Sequence, residues 1–172
     1  MKRLILTLAF IAGILICILA ANYVTTRYGM VPVGFGLMAT AGTYLAGLTF
    51  VLRDSLQDVA GKVPTLMVIA AGAVLSFGLA APQIALASAV AFALAELADL
   101  AVYTPLRKRG YIRAAVASNI VGALVDTVIF LWIAGFPIMA ALPGQMVGKL
   151  LITAVAVIAV ATIRAIRKPV AA

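Results

Sequence analysis

The chain carries only five acidic residues, and their positions are the first indication of chemistry. They are Asp54, Asp58, Glu96, Asp99 and Asp126, and the last three fall inside long apolar stretches. If those stretches cross a bilayer, an ionised side chain near its centre costs about 2.5 to 3.5 kcal/mol and generally faces a cavity or a partner. We therefore expect these three carboxylates to face a polar interior rather than lipid.

Polar side chains on the same stretches recur at helical spacing. Glu96 and Asp99 lie three residues apart, and Asn119 lies seven residues before Asp126, so each pair shares a helix face. At about 1.5 Å of rise per residue, Asp126 and Lys149 lie roughly 12 and 10 Å from the same end of their spans. The depths allow an ion pair, either as a structural tether or as part of a binding cavity.

The remaining polar positions each allow two interpretations. Glu96 lies near the middle of its span without an obvious basic partner, which favours a functional role over a protonated, hydrogen-bonded core carboxyl. Asn22, near the end of the first span, is either a helix-end residue or a ligand contact. Asp54 and Asp58 lie one turn apart, with Lys62 a turn further on. That spacing fits a solvated, charge-paired helix end and also fits ligand contact.

The elements that position these residues follow from composition. The 172 residues are 66% hydrophobic and 10% charged, against about 45 to 50% and about 25% in soluble domains, so the chain belongs in a bilayer. Spans of about 20 residues allow six helices with short connections. We predict an all-α, polytopic membrane protein with six transmembrane helices in a single domain over residues 1–172. The predicted spans are 4–24, about 31–52, 64–80, 84–104, 114–134 and 142–163.

The cations fix the predicted orientation. One side of the predicted bundle holds eleven of the 13 Lys and Arg residues, the opposite loops hold only Arg27, and Lys149 lies within a span. The eleven are Lys2, Arg3, Arg53, Lys62, Arg107, Lys108, Arg109, Arg113, Arg164, Arg167 and Lys168. The positive-inside rule then predicts a multi-pass protein of the cell inner membrane with both termini in the cytoplasm. The cluster at 107–113 is either a topology signal that contacts lipid headgroups or a docking site for a soluble partner.

Residue usage argues against several other classes. The chain has no histidine and a single cysteine, Cys17, which removes the commonest zinc ligand and general base and any intramolecular disulfide. We expect no catalytic residues, no metal site, no cofactor and no enzymatic activity. Because the net charge of +8 is explained by orientation in the membrane, we expect no nucleic acid partner either.

Several segments together resemble a known family. Segment 53–62, RDSLQDVAGK, is similar to the TDxxxExxGK segment of the vitamin uptake transporter family, the queuosine precursor transporters. Further similarity to that family's pattern lies at Ala87, Ser88, Phe92, Glu96, Asp99, 106–108, Arg113, Ser118, 126–130 and Ala134. The resemblance implies a six-helix importer of 7-deazaguanine bases. Carried over by position, it points to Asp54, Asp58, Glu96, Asp99, Asp126 and Lys149.

We therefore predict import of a queuosine precursor base through a polar cavity among spans one, four, five and six. The predicted substrate-binding residues are Asn22, Asp54, Asp58, Glu96, Asp99, Asn119, Asp126 and Lys149. A carboxylate can accept the donors of a guanine-type edge, and the rings can stack on Phe92, Tyr103 or Phe130.

Two other readings stay open at this point. One is a substrate-binding membrane subunit of an energy-coupling-factor transporter, which needs a separate ATPase module. The other is a non-transporting pore or holin-like protein. Within the importer reading, proton coupling through Glu96 or Asp99 and facilitated diffusion both fit, as does a homo-oligomer.

Overall fold

The computed structural model describes residues 2–106, 108 and 111–166 as six helices and one short β-hairpin. The prediction of an all-α, polytopic membrane protein is confirmed. The elements are α1 Lys2–Tyr28, β1 Met30–Gly34, β2 Leu37–Thr40, α2 Thr43–Ala60, α3 Lys62–Ser76, α4 Pro82–Leu106, α5 Tyr111–Ala134 and α6 Ile138–Ile166.

Consecutive helices run in opposite directions, as short connections require. Gly61 alone joins α2 to α3, and residues 135–137 join α5 to α6. The end of the bundle where α1 finishes and α2 begins carries the hairpin, and we call it the hairpin end. The opposite end, where α1 begins and α6 finishes, is called the termini end. Helices α2, α4 and α6 therefore all run from the hairpin end to the termini end.

The predicted start of the second span, near residue 31, is wrong because a β-hairpin occupies this segment. Strands β1 and β2 pair antiparallel from Met30 opposite Thr40 to Gly34 opposite Leu37, and α2 begins only at Thr43. Glycines with positive φ occur at Gly29 and at Gly34 and Gly36 in the turn, a backbone region that favours glycine. These glycines and Pro32 exclude a helix, although the apolar composition of the segment alone favours one.

Within the described part of the chain, four helical segments are long and apolar enough to cross a membrane: Arg3–Tyr28, Pro82–Leu106, Ala117–Ala134 and Ile138–Val155. Helix α3 is a shorter apolar helix of 15 residues, and it ends at Ser76 instead of the predicted residue 80 because a turn follows over residues 77–79. Helix α2 has 18 residues and includes Arg53, Asp54 and Asp58, which lower its hydropathy. The two helices that are not candidate membrane spans, α2 and α3, are thus the shortest of the six or carry charged residues.

Glycines allow α6 to approach its neighbours closely. A Cβ at Gly47 of α2 would overlap the Ile152 side chain and the backbone of α6, and one at Gly144 would overlap the Met38 carbonyl of β2. A Cβ at Gly148 would lie 2.8 Å from the Thr43 methyl group. The small-xxx-small spacing of Gly144 and Gly148 therefore brings the hairpin and α2 against α6, and this packing fixes the depth of the polar residues on α6.

Candidate functional site

A small cavity of about 60 Å³ lies between the helices toward the hairpin end, and we call it the hairpin-end cavity. Residues of α1, α2, α4, α5 and α6 line it, together with Thr40 of β2. Its polar lining residues are Asn22, Thr25, Thr40, Thr43, Thr49, Ser88, Asp126, Gln145 and Lys149. The cavity therefore involves α2 and the hairpin as well as the four spans predicted from sequence.

The predicted ion pair between α5 and α6 lies in the wall of this cavity and is confirmed. Lys149 Nζ lies 2.6 Å from Asp126 Oδ2 and also donates to Thr127 Oγ1 at 2.8 Å. The side chains of Lys149 and Asp126 are 3% and 13% exposed, so this pair is largely removed from solvent and lipid. Because both charges line the cavity, they are positioned to meet a ligand as well as to join the two helices.

Hydrogen bonds hold the other polar walls in place. The Gln145 amide donates to Thr40 Oγ1 at 2.9 Å, which joins α6 to the hairpin. On the opposite wall the Asn22 amide donates to Ser76 Oγ at 2.9 Å, which joins α1 to α3. The hydroxyl of Thr43 donates to the Thr40 carbonyl at 2.7 Å. These bonds orient amide and hydroxyl groups around the cavity before any ligand arrives.

Aromatic rings close the cavity toward the termini end. Phe50 of α2 and Phe92 of α4 stack with their centroids 6.3 Å apart and an interplanar angle of 18°. Of the aromatic residues considered from sequence, Phe92 and Phe130 line this cavity, whereas Tyr103 lines a different one. The hairpin-end cavity thus combines flat apolar faces with a carboxylate, an ammonium and amides.

A second cavity lies toward the termini end and is strongly charged; we call it the termini-end cavity. It has a volume of about 310 Å³. It is lined by Arg53, Asp54, Gln57, Asp58, Lys62, Glu96, Asp99, Tyr103, Ser118 and Asn119. A space of about 50 Å³, the middle cavity, lies between the two and shares lining residues with each.

Glu96 has a basic partner that the sequence analysis missed. Arg53 Nη1 forms an ion pair with Glu96 Oε1, and Arg53 also donates to Asp54 Oδ1 from Nε at 2.9 Å and from Nη2 at 2.7 Å. Its guanidinium carbon lies 5.6 Å from the Phe50 centroid, in a cation–π contact. The expectation that Glu96 lacks a cation is therefore wrong.

The predicted site residues separate into two groups. Asn22, Asp126 and Lys149 line the hairpin-end cavity, and Lys149 also reaches the middle cavity. The others line the termini-end cavity, and they are Asp54, Asp58, Glu96, Asp99 and Asn119. A single chamber shared by Glu96, Asp126 and Lys149 is thus not what the structure contains.

Four residues of these cavities were not predicted from the sequence: Arg53, Phe50, Thr40 and Gln145. Arg53 was counted as a topology cation, although its position one turn after Phe50 and directly before Asp54 was a signal of burial at the edge of an apolar stretch. Thr40 was hidden because its segment was read as helix.

Two predictions concern regions or features that the structure covers only in part. Most of the basic cluster at 107–113 lies outside the described residues, which do not include residues 107, 109 and 110 or the side chain of Arg113. Among the residues that are described, no group of three or more His, Cys, Asp or Glu side chains could hold a metal ion.

The apolar helices and the enclosed polar cavity define the class of the protein, a multi-pass α-helical membrane protein with an internal site. The family model described as "Putative vitamin uptake transporter" matches residues 76–164, which is more than half of the chain. The chain belongs to this family of membrane transporters. Comparisons with curated proteins and with solved structures returned no match. The matched segment holds Glu96, Asp126 and Lys149 and ends at residue 164, within the last turn of α6.

Proposed function

We propose that the protein imports a queuosine precursor, a neutral 7-deazaguanine-type base, which binds in the hairpin-end cavity. The observation that carries the proposal is the Asp126 and Lys149 pair in the cavity wall, with Nζ and Oδ2 2.6 Å apart. Membership of the vitamin uptake transporter family supports a small organic nutrient as the substrate.

The chemistry of the pair suits such a base. The carboxylate of Asp126 can accept the ring N–H and exocyclic amine of a guanine-type edge, while Lys149 donates to the carbonyl oxygen. One carboxylate and one ammonium are neutral together, so a neutral ligand enters without leaving an unpaired charge buried. Phe92 and Phe130 supply flat faces for the ring system.

We further propose that the termini end faces the cytoplasm of a bacterial-type inner membrane. Arg3 and Lys62 lie at this end, and Lys108 follows the last turn of α4 there, whereas Arg27 lies at the hairpin end. This asymmetry supports the orientation that the positive-inside rule predicts. The base would then enter from the outside and leave toward the cytoplasm, with no catalytic step and no cofactor.

The test is uptake by a host that cannot make queuosine. Cells expressing the chain are given labelled 7-deazaguanine-type base, and queuosine in tRNA is measured. We expect restored queuosine with the parent chain and, at a limiting concentration of base, much less of it with Asp126→Asn, a change that preserves shape but removes the acceptor charge. Absence of queuosine with the parent chain, at normal membrane accumulation, would overturn the substrate.

The same cells distinguish the other transport readings. Co-purification of an ATPase that is required for uptake would replace the importer with a substrate-binding subunit. Leakage of an entrapped dye from vesicles containing the purified protein would replace it with a pore. We expect no leakage, because packed rings and paired charges close the cavity. We also expect uptake without an ATPase.

A further inference from the structure

The three cavities follow one another along the bundle. The hairpin-end cavity and the middle cavity share Phe50 and Lys149 as lining residues. The middle and termini-end cavities share four polar residues, which are Arg53, Asp54, Asp99 and Asn119. The three cavities therefore form a row from the Asp126 and Lys149 pair to the termini end. The lining residues that two neighbouring cavities share are the side chains that separate them.

Helices α2 and α4 close this succession through two successive layers of side chains. The first layer is the stack of Phe50 on Phe92. One helical turn nearer the termini end, the second layer is the ion pair of Arg53 with Glu96. Both helices run in the same direction, so the two layers lie at consecutive depths.

Helices α2 and α4 contact each other mainly through the side chains of these two layers. Helix α2 packs mainly against α1 and α6, and α4 packs mainly against α5. Long side chains therefore bridge a gap between the two helices that backbone packing does not fill. A small separation of the α4 and α5 pair from α2 would open a passage at this level.

We propose that the Arg53–Glu96 ion pair is the gate of the transport path on the termini side, a role that rests on the proposed function. Arg53 is suited to it because the guanidinium keeps its two bonds to Asp54 when Glu96 moves away. The Asp54 side chain is 52% exposed, whereas those of Arg53 and Glu96 are 8% and 11% exposed. When the gate opens, the cation thus stays bonded to a carboxylate that is half exposed, which lowers the cost of breaking a buried pair.

The experiment measures access through the gate directly. Ser88, which lines the hairpin-end cavity, is changed to cysteine in a Cys17→Ala chain, and a membrane-impermeant thiol reagent is applied from each face of the membrane. With Glu96→Gln, we expect Ser88→Cys to react about tenfold faster from the termini side. This factor corresponds to a loss of about 1.4 kcal/mol in the free energy that favours the closed gate over the open one. Arg53→Gln breaks the same pair from the other helix and is expected to give the same acceleration.

Two controls make the result specific. Gln57→Cys lies in the termini-end cavity, outside the gate, and should react at one rate in every background and also report which membrane face that end occupies. Asp58→Asn removes a carboxylate from the same cavity without touching the ion pair, and should leave Ser88→Cys labelling at its parental rate.

An unchanged Ser88→Cys rate in both Glu96→Gln and Arg53→Gln, with Gln57→Cys labelled normally, would overturn the gate. An equal acceleration by Asp58→Asn would also overturn it, because general loosening of the cavity would then explain the effect. The labelling needs no substrate, so a parent chain that takes up no base but shows the acceleration would refute the proposed substrate and leave the gate standing.

Discussion

The hairpin-end and termini-end cavities use charge in different ways. The hairpin-end cavity contains one carboxylate and one ammonium, Asp126 and Lys149, bonded to each other and surrounded by hydroxyls, amides and rings. Among the residues that the structure describes, the termini-end cavity has four carboxylates against two cations, Arg53 and Lys62, and no comparable aromatic wall. The first cavity is balanced and partly apolar, whereas the described residues of the second sum to a formal charge of −2.

Under the proposed function, we expect this difference to separate substrate recognition from passage. A neutral flat molecule gains stacking and directed hydrogen bonds in the hairpin-end cavity, where the polar groups are already oriented by bonds such as that from Gln145 to Thr40. The termini-end cavity offers hydrated carboxylates such as Asp58, which is exposed, and little surface for a ring to stack on. We therefore expect affinity to depend on the hairpin-end cavity and the rate of release to depend on the other.

The largest expected effect comes from removing Lys149. Lys149→Ala leaves Asp126 buried without its cation, and breaking a buried pair on one side costs about 3 to 5 kcal/mol, so we expect a clear fall in Tm and no uptake. The double change Lys149→Met and Asp126→Leu should restore most of the Tm, since an apolar pair of similar volume avoids the buried charge. Parental uptake by that double variant would remove the pair from the recognition site.

A second prediction divides affinity from rate. Asp126→Asn weakens a hydrogen bond to a charged group, worth about 1.5 to 3 kcal/mol, so KM for the base should rise about tenfold or more. Glu96→Gln should leave KM within about twofold and lower the maximal rate, because binding is retained while gating is impaired. Initial uptake rates at several base concentrations measure both. A raised KM in Glu96→Gln would place that residue at the ligand and erase the distinction between the cavities.

The close approach of α6 to the hairpin gives a smaller effect. Gly144→Ala would drive a Cβ into the Met38 carbonyl, and overpacking of this kind costs about 1 to 3 kcal/mol, seen as a lower Tm in detergent. Gly122→Ala is the matched control, since its Cβ would lie 3.6 Å from the nearest atom, an ordinary contact on α4. Equal Tm values for the two variants would contradict the tight seating of the hairpin.

The smallest expected effect concerns Asn22. Asn22→Ala removes a buried hydrogen bond to Ser76, whose hydroxyl still donates to the Gly72 carbonyl, so we expect a loss of about 0.5 to 1.5 kcal/mol in stability. Gln83→Ala removes an exposed bond to the Ile133 carbonyl at the same end of the bundle, and water can replace it. A larger fall in Tm for Gln83→Ala than for Asn22→Ala would contradict the buried role of Asn22.

The depth of each ionisable residue within its span was predictable from the sequence. The ion-pair partners on helices that are not consecutive in the chain were not. Equal depth on neighbouring spans was enough to pair Asp126 with Lys149, because α5 and α6 are consecutive in the chain. Arg53 and Glu96 lie on helices that are not consecutive, so helix spacing within one element carries no information about their contact. The pairing depends on the arrangement of α2 beside α4, which only the folded bundle establishes.

The hairpin shows a second limit of the same kind. Its residues are as apolar as those of a membrane span, and the span was predicted on that composition. Pro32 and the glycines at 34 and 36, which indicate a turn, were given less weight. Those residues decide the backbone because they restrict or permit particular φ values, irrespective of hydrophobicity. An interpretation that gave the turn residues priority would have placed Thr40 before α2, in the second strand of the hairpin.

The most direct test of the account is thermal stabilisation of the purified protein by a 7-deazaguanine-type base. At a base concentration about 100 times Kd, binding adds about 2.7 kcal/mol to stability, so we expect a raised Tm for the parent chain. The Lys149→Met and Asp126→Leu double variant should show no such rise, whereas Glu96→Gln should respond like the parent. An equal rise in the double variant, or none in the parent, would contradict recognition of the base by Asp126 and Lys149.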